Sequence, residues 1–266
     1  MLQLNGIQEM AEQALAMPGA CGGINRTLVD RAQRVLRHCG GIAELEEIRR
    51  FQVDRECLSV AALFCEVGLA QQAGQSKETV ATVRAQVKDA DLRDFSTQIV
   101  HERLGEILNP RQMERVCSTI IEAGTRGTKL IEAMILSDAC NLEDMGAVGL
   151  FNSLAHFGAN GRGVGEVLDS WKRKIDYGYW NARVRESFRF EAVRRVALER
   201  LAGAMAFMEQ LTRENRARDL EDRLLDQTLQ EPTHTKHEAP DELSLRAMRS
   251  AARRGQLLKA GRKCEP

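Results

Sequence analysis

Apolar positions recur along this chain at intervals of three and four residues, the spacing of helices with one buried face. Leu2 to Met17 reads as a short amphipathic helix, broken by Pro18-Gly-Ala-Cys-Gly-Gly23. Asn25 or Thr27 can cap a second helix whose face is Leu28, Val29, Ala32, Val35, Leu36 and Cys39, with Gly40-Gly41 as its end. Cys57 to Gly68 is apolar almost all round, as a central core helix would be, apart from Glu66. A polar segment, Gln71 to Asp91, reads as a loop with a helical piece, and helices over Ser96 to Leu108 and Pro110 to Ala123 follow it. Pro110 suits a first turn, and Met113, Val116, Cys117, Ile120 and Ile121 form the face behind it.

The next apolar stretch ends on an acid. Ile131, Met134 and Ile135 share a face, and the following turn brings up Asp138, within a cluster completed by Asn141, Glu143 and Asp144. A carboxylate there serves either as a ligand or as a cap. Gly146-Ala-Val-Gly149 offers small residues against which another backbone can pack. Further on, a helix is predicted around Val167 to Ile175, and a long one, roughly Arg185 to Glu214, carries the stripe Leu198, Leu201, Met205, Met208 and Leu211.

Composition narrows the class without naming a function. The 266 residues include five prolines and only 5% aromatics, which agrees with an all-α chain. Thirty-eight basic and thirty-eight acidic residues cancel, so no global field favours nucleic acid or an anionic membrane. Seven cysteines without a CxxC pair, and no apolar leader, lead to the expectation of reduced thiols in a cytoplasm. No membrane span is expected. Three segments are expected: 1–24 as helix and linker, 25–215 as the helical domain, and 216–266 as a charged, mobile tail with a basic end from Arg253 to Lys263. Nucleic acid is expected at most at that basic end.

Two stretches, read together, carry a resemblance. Ala61-Ala-Leu-Phe-Cys-Glu-Val-Gly68, and about seventy residues later Ile135-Leu-Ser-Asp-Ala-Cys-Asn-Leu-Glu-Asp-Met-Gly-Ala-Val-Gly149, resemble the HD-domain metal-dependent phosphohydrolase superfamily, in its small bacterial nucleotide pyrophosphohydrolase-like branch. Arg34-Val35, Asp54, Leu58, Lys129-Leu-Ile-Glu132, Trp171-Lys-Arg-Lys174 and Arg195 to Arg200 extend the likeness over roughly Arg26 to Glu214. It implies an HD-like helical bundle with a long C-terminal helix. It also implies a divalent metal held by a His, a His-Asp pair and a later Asp, generating the attacking hydroxide.

Here those positions hold Arg31, Cys65-Glu66 and Cys140, and the auxiliary histidines expected near Phe95 and near Ala123 or Gly124 are missing. Arginine carries a fixed positive charge and is not a metal ligand. The reading that follows is a vestigial site of Arg31, Cys65, Glu66, Asp138 and Cys140, with no catalytic residue, metal or cofactor, in which Arg31 pairs with the otherwise costly Glu66. The protein is then a pseudo-phosphohydrolase that binds a nucleotide-like anion or a protein partner. The alternative is an active metal-dependent nucleotide phosphohydrolase in which the cysteines, with Glu66 or Asp138, hold zinc or manganese.

His156 and Arg162, beside the glycine-rich Gly158 to Gly165, are candidate ligand contacts, although that loop lacks the Gly-Lys-Ser/Thr ending of a P-loop. His38 is expected at an exposed helix end and His101 at the surface. His234 and His237 fall in the tail.

Overall fold

The computed structural model describes residues 4–19 and 23–229. The chain divides into two compact units, Met1–Arg216 and Ala217–Pro266. The first unit is helical: α1 (Leu4–Leu15), α2 (Thr27–Ala43), α3 (Arg55–Phe64), α4 (Val67–Ser76), α5 (Val80–Gln86), α6 (Asp89–Leu104), α7 (Pro110–Glu122), α8 (Ile131–Glu143), α9 (Gly146–Ala159), α10 (Val164–Asp176), α11 (Tyr179–Ser187) and α12 (Glu191–Asn215). A two-residue ladder pairs β1 (Met17–Pro18) with β2 (Ile24–Asn25). Within the second unit the described part is α13 (Arg218–Leu229). The basic end, His234 and His237 lie outside the described residues.

Local signals set several starts. Asn109 and Gln112 exchange a capping box at 3.0 and 3.1 Å ahead of Pro110. Asp54 accepts from Cys57 N at 2.9 Å to start α3, and Thr79 accepts from Thr82 N at 3.2 Å to start α5. Asn25 accepts from Thr27 N at 2.9 Å, just outside α2.

Packing centres on α2, α3, α7 and α8, with α4 against α6 and α9 against α12. Within the segment 1–24, α1 buries Ile7, Ala11 and Leu15 in the main core, because its apolar spacing matches the face offered by α3 and α4. A smaller cluster forms where Leu150, Val167, Ala204 and Met208 meet.

Four helix readings change. α2 runs through Gly40-Gly41 to Ala43, because Ile42 and Ala43 are buried and packing outweighs the glycine cost. The expected single helix Cys57–Gly68 breaks at Cys65-Glu66. There Gly68 approaches α6 so closely that a Cβ would stand 2.4 Å from Leu92 O. The fully buried Ser96 hydroxyl stitches this break, accepting from Gly68 N at 3.0 Å and lying 3.1 Å from Cys65 O.

The 176–190 region forms its own helix, α11, so the long helix starts at Glu191. The buried stripe of α12 is Val193, Ala197, Leu201, Ala204 and Met208, whereas Leu198 and Met205 are exposed. No span was expected, yet Arg55–Ser76 reaches the required length and mean hydropathy. Of its apolar window 72% is buried inside the fold, as the core position of α3 and α4 requires.

Candidate functional site

α8 carries three fully buried carboxylates, Glu132, Asp138 and Glu143, each with partners of its own. Glu132 accepts from Asp54 N at 2.7 Å and from Arg115 Nη2 at 2.8 Å, tying α8 to the start of α3 and to α7. Glu143 accepts from Arg34 Nε at 2.7 Å and lies 3.4 Å from His38 Nδ1. Arg200 Nη2 lies 3.0 Å from His38 Nε2, which makes Nε2 the acceptor and leaves the proton on Nδ1. Burial, then Arg200, lowers the His38 pKa. His38 is therefore a half-buried bridge between α8 and α12, not an exposed helix-end partner.

Asp138 is the main correction to the expected site. Both its oxygens accept from Arg189 N at 3.0 Å, and one accepts from Phe190 N at 3.1 Å, so it caps the start of α12. Asp138 thus holds the two residues that lead into α12, while Glu47 accepts from its first helical N–H groups, Glu191 N at 3.3 Å and Ala192 N at 3.1 Å. Burial pushes the Asp138 pKa up to about 6 against the pull of those N–H groups.

Arg31, Cys65, Glu66 and Cys140 do come together, around a cavity of about 250 Å³. Arg31, on α2 and 6% exposed, spreads its guanidinium across three acceptors. Nε lies 3.0 Å from the Glu66 carboxylate, Nη1 donates to Asp144 Oδ1 at 3.0 Å, and Nη2 to Cys140 O at 3.4 Å. Glu66, at the α3–α4 break, also accepts from Arg84 Nη2 at 2.6 Å. Asp144, the C-cap of α8, accepts from Arg183 Nη2 at 2.6 Å. A chain of alternating charge results: Arg84, Glu66, Arg31, Asp144, Arg183.

Burial alone would raise the Glu66 pKa, but Arg31 and then Arg84 outweigh it and hold the carboxyl at about 2. Burial works against the charge on Arg31 as well, and Glu66 and Asp144 raise its pKa regardless. The two thiols interact across the cavity. That contact, with burial adding to it, raises Cys65; the same contact, with Arg31 adding to it against burial, lowers Cys140.

His156 and Arg162 do not join this cavity. His156 Nδ1 contacts Asn160 Nδ2 at 3.3 Å, and Arg162 stacks 5.5 Å from the Phe157 ring. Arg84, Asp144 and Arg183 were missed as site residues. Asp144 showed only as part of an acidic cluster, and the two arginines lie in segments without apolar periodicity. Among the described residues no group of three or more His, Cys, Asp or Glu side chains is arranged to hold a metal ion.

No family model and no curated protein matches this chain. Solved structures do. Bacillus subtilis YpgQ in complex with ADP superposes with a TM-score of 0.54 at 19% identity, over 80% of this chain and 94% of that one. A predicted HD superfamily hydrolase from an uncultured Thermotogales bacterium gives 0.51 at 16%, over 80% and 93%. The fold is HD-like.

Proposed function

We propose that this HD-like protein is a metal-free pseudo-phosphohydrolase that acts by binding a nucleotide-like anion rather than by hydrolysing it. The observation that carries the reading is the Arg31 guanidinium lying between Glu66 and Asp144. A divalent cation there would face a fixed positive charge and compete with Arg31, Arg84 and Arg183 for the same two carboxylates. The donor set does not fit such a metal, and Arg31 supplies the charge balance instead. YpgQ was solved with ADP, so adenine nucleotides are the first ligand class to test.

The deciding experiment is elemental analysis of the purified protein, followed by a nucleotide hydrolysis panel with manganese, magnesium and zinc. The expected result is substoichiometric metal and no turnover. Stoichiometric metal with turnover abolished by Glu66→Ala would overturn the reading and establish the alternative, an unconventional Cys/Glu/Asp site.

A further inference from the structure

Beside the Arg31 cavity lies a larger one of about 460 Å³, within the range of small-molecule sites. Arg93 of α6, Arg126 after α7, and Arg183 and Glu186 of α11 line it, together with Arg189 in the link to α12. Four guanidinium groups thus face one carboxylate.

How each charge is compensated separates these arginines. Arg93 donates to Asp89 at 2.9 Å, and Arg126 pairs with Glu186 at 2.9 Å. Arg183 reaches Asp144, which Arg31 already shares. Arg189 spends its terminal nitrogens on neutral oxygens, Ser137 Oγ at 2.6 Å and Thr125 O at 3.0 Å. Its acidic neighbour, Asp138, stands 3.8 Å away and already accepts backbone N–H groups. The Nε atoms of Arg183 and Arg189 are buried without a hydrogen-bond partner.

Those Nε atoms are sealed from the cavity, but each terminal guanidinium nitrogen carries two N–H groups, so donors remain for a ligand beyond the contacts named. Burial lowers the Arg189 pKa, Asp138 opposes that, and Arg93 and Arg126 lower it further, as expected where positive charge is in excess. Several forked donors around one roomy cavity match an anion with many acceptor oxygens better than a single carboxylate.

We propose that this second cavity binds the diphosphate of a small phosphorylated molecule, with Arg183 and Arg189 holding it and Arg93 and Arg126 completing the ring of cations. The site deepens the binding function proposed above and rests on that reading, but not on the loss of metal. Arg126 and Glu186 are exposed enough to be changed without disturbing the core, and they act in opposite directions.

The test is calorimetric titration of the full-length protein with inorganic pyrophosphate, in the presence of a chelator. One-to-one binding is expected, weakened about tenfold by Arg126→Gln and tightened by Glu186→Gln. No binding at millimolar pyrophosphate overturns the inference. So does binding that ignores both variants and is lost in Arg84→Gln, which would place the anion in the Arg31 cavity and leave the broader binding function standing. Metal content and turnover are read separately, so failure of the pseudoenzyme reading is told apart from failure of this site.

Discussion

Arg31 Nε and the carboxylate of Glu66 lie 3.0 Å apart in a site where each side chain is largely shielded from water. Removing Arg31 leaves Glu66 with Arg84 alone and Asp144 with Arg183 alone, so buried negative charge loses part of its compensation. Arg31→Met is therefore expected to destabilise the fold by about 1 to 3 kcal/mol, below the cost of stranding a buried charge outright. The double change Arg31→Met with Glu66→Gln should cost clearly less than the two single changes added. Urea denaturation of all four species measures this, and additive losses would rule out the coupling.

The acid limb of stability should report the same carboxylate. Glu66 titrates at about 2 in the folded protein against an ordinary value of 4.5. A depressed folded pKa means the stabilisation is complete above about pH 4.5 and lost as pH falls toward about 2. Its size is on the order of 3 kcal/mol. The stability difference between wild type and Glu66→Gln should shrink across that window; a difference constant from pH 6 to 2 would contradict it.

Thiol chemistry separates the described cysteines. Burial raises Cys39 well above the ordinary range and pushes Cys57 up to about 12, whereas Cys140 is lowered by Cys65 and Arg31 and lines an open cavity. Brief alkylation with iodoacetamide at pH 7 should modify Cys140 ahead of the fully buried Cys39 and Cys57. Peptide mapping by mass spectrometry gives the order, and prior labelling of Cys39 or Cys57 would overturn it.

Gly68 holds α4 against α6 with no space for a side chain. A Cβ would meet Leu92 O at 2.4 Å and Ser96 N at 2.7 Å, both backbone atoms that do not give way. Gly68→Ala should cost about 1 to 3 kcal/mol, with Gly74→Ala, where nothing lies within 4 Å, as the near-neutral control. Thermal melts of the two variants check this.

Periodicity located α7, α8 and α10 because each buries one face against a neighbour, and the positions that depart from the HD pattern singled out Arg31, Glu66 and the two cysteines. It placed Asp138 among the site residues because an acid on an apolar face looks the same whether it meets a ligand or a backbone. Only the later turn at Arg189-Phe190 decides, and its approach is a long-range event. Arg84 and Arg183 could not be read for a related reason: a polar helix shows no preferred face until the fold brings Glu66 and Asp144 to it. Helix α9 went unread because its glycines look like punctuation, although Gly146 at φ +74° is where the chain passes close to Arg200.

The alternating chain of charges spans distant parts of the polypeptide: 35 positions separate Arg31 from Glu66, 113 separate Arg31 from Asp144, and 39 separate Asp144 from Arg183. Such a lattice cannot close until the N-terminal helices and α8 have already met, since loop-closure entropy must be overcome first. Arg31 thus acts as a latch on a finished structure rather than as a seed for it. In a chevron experiment on Arg31→Met, refolding should keep the wild-type rate while unfolding accelerates, so the residue at the centre of the charge lattice also sets how long the native state lasts.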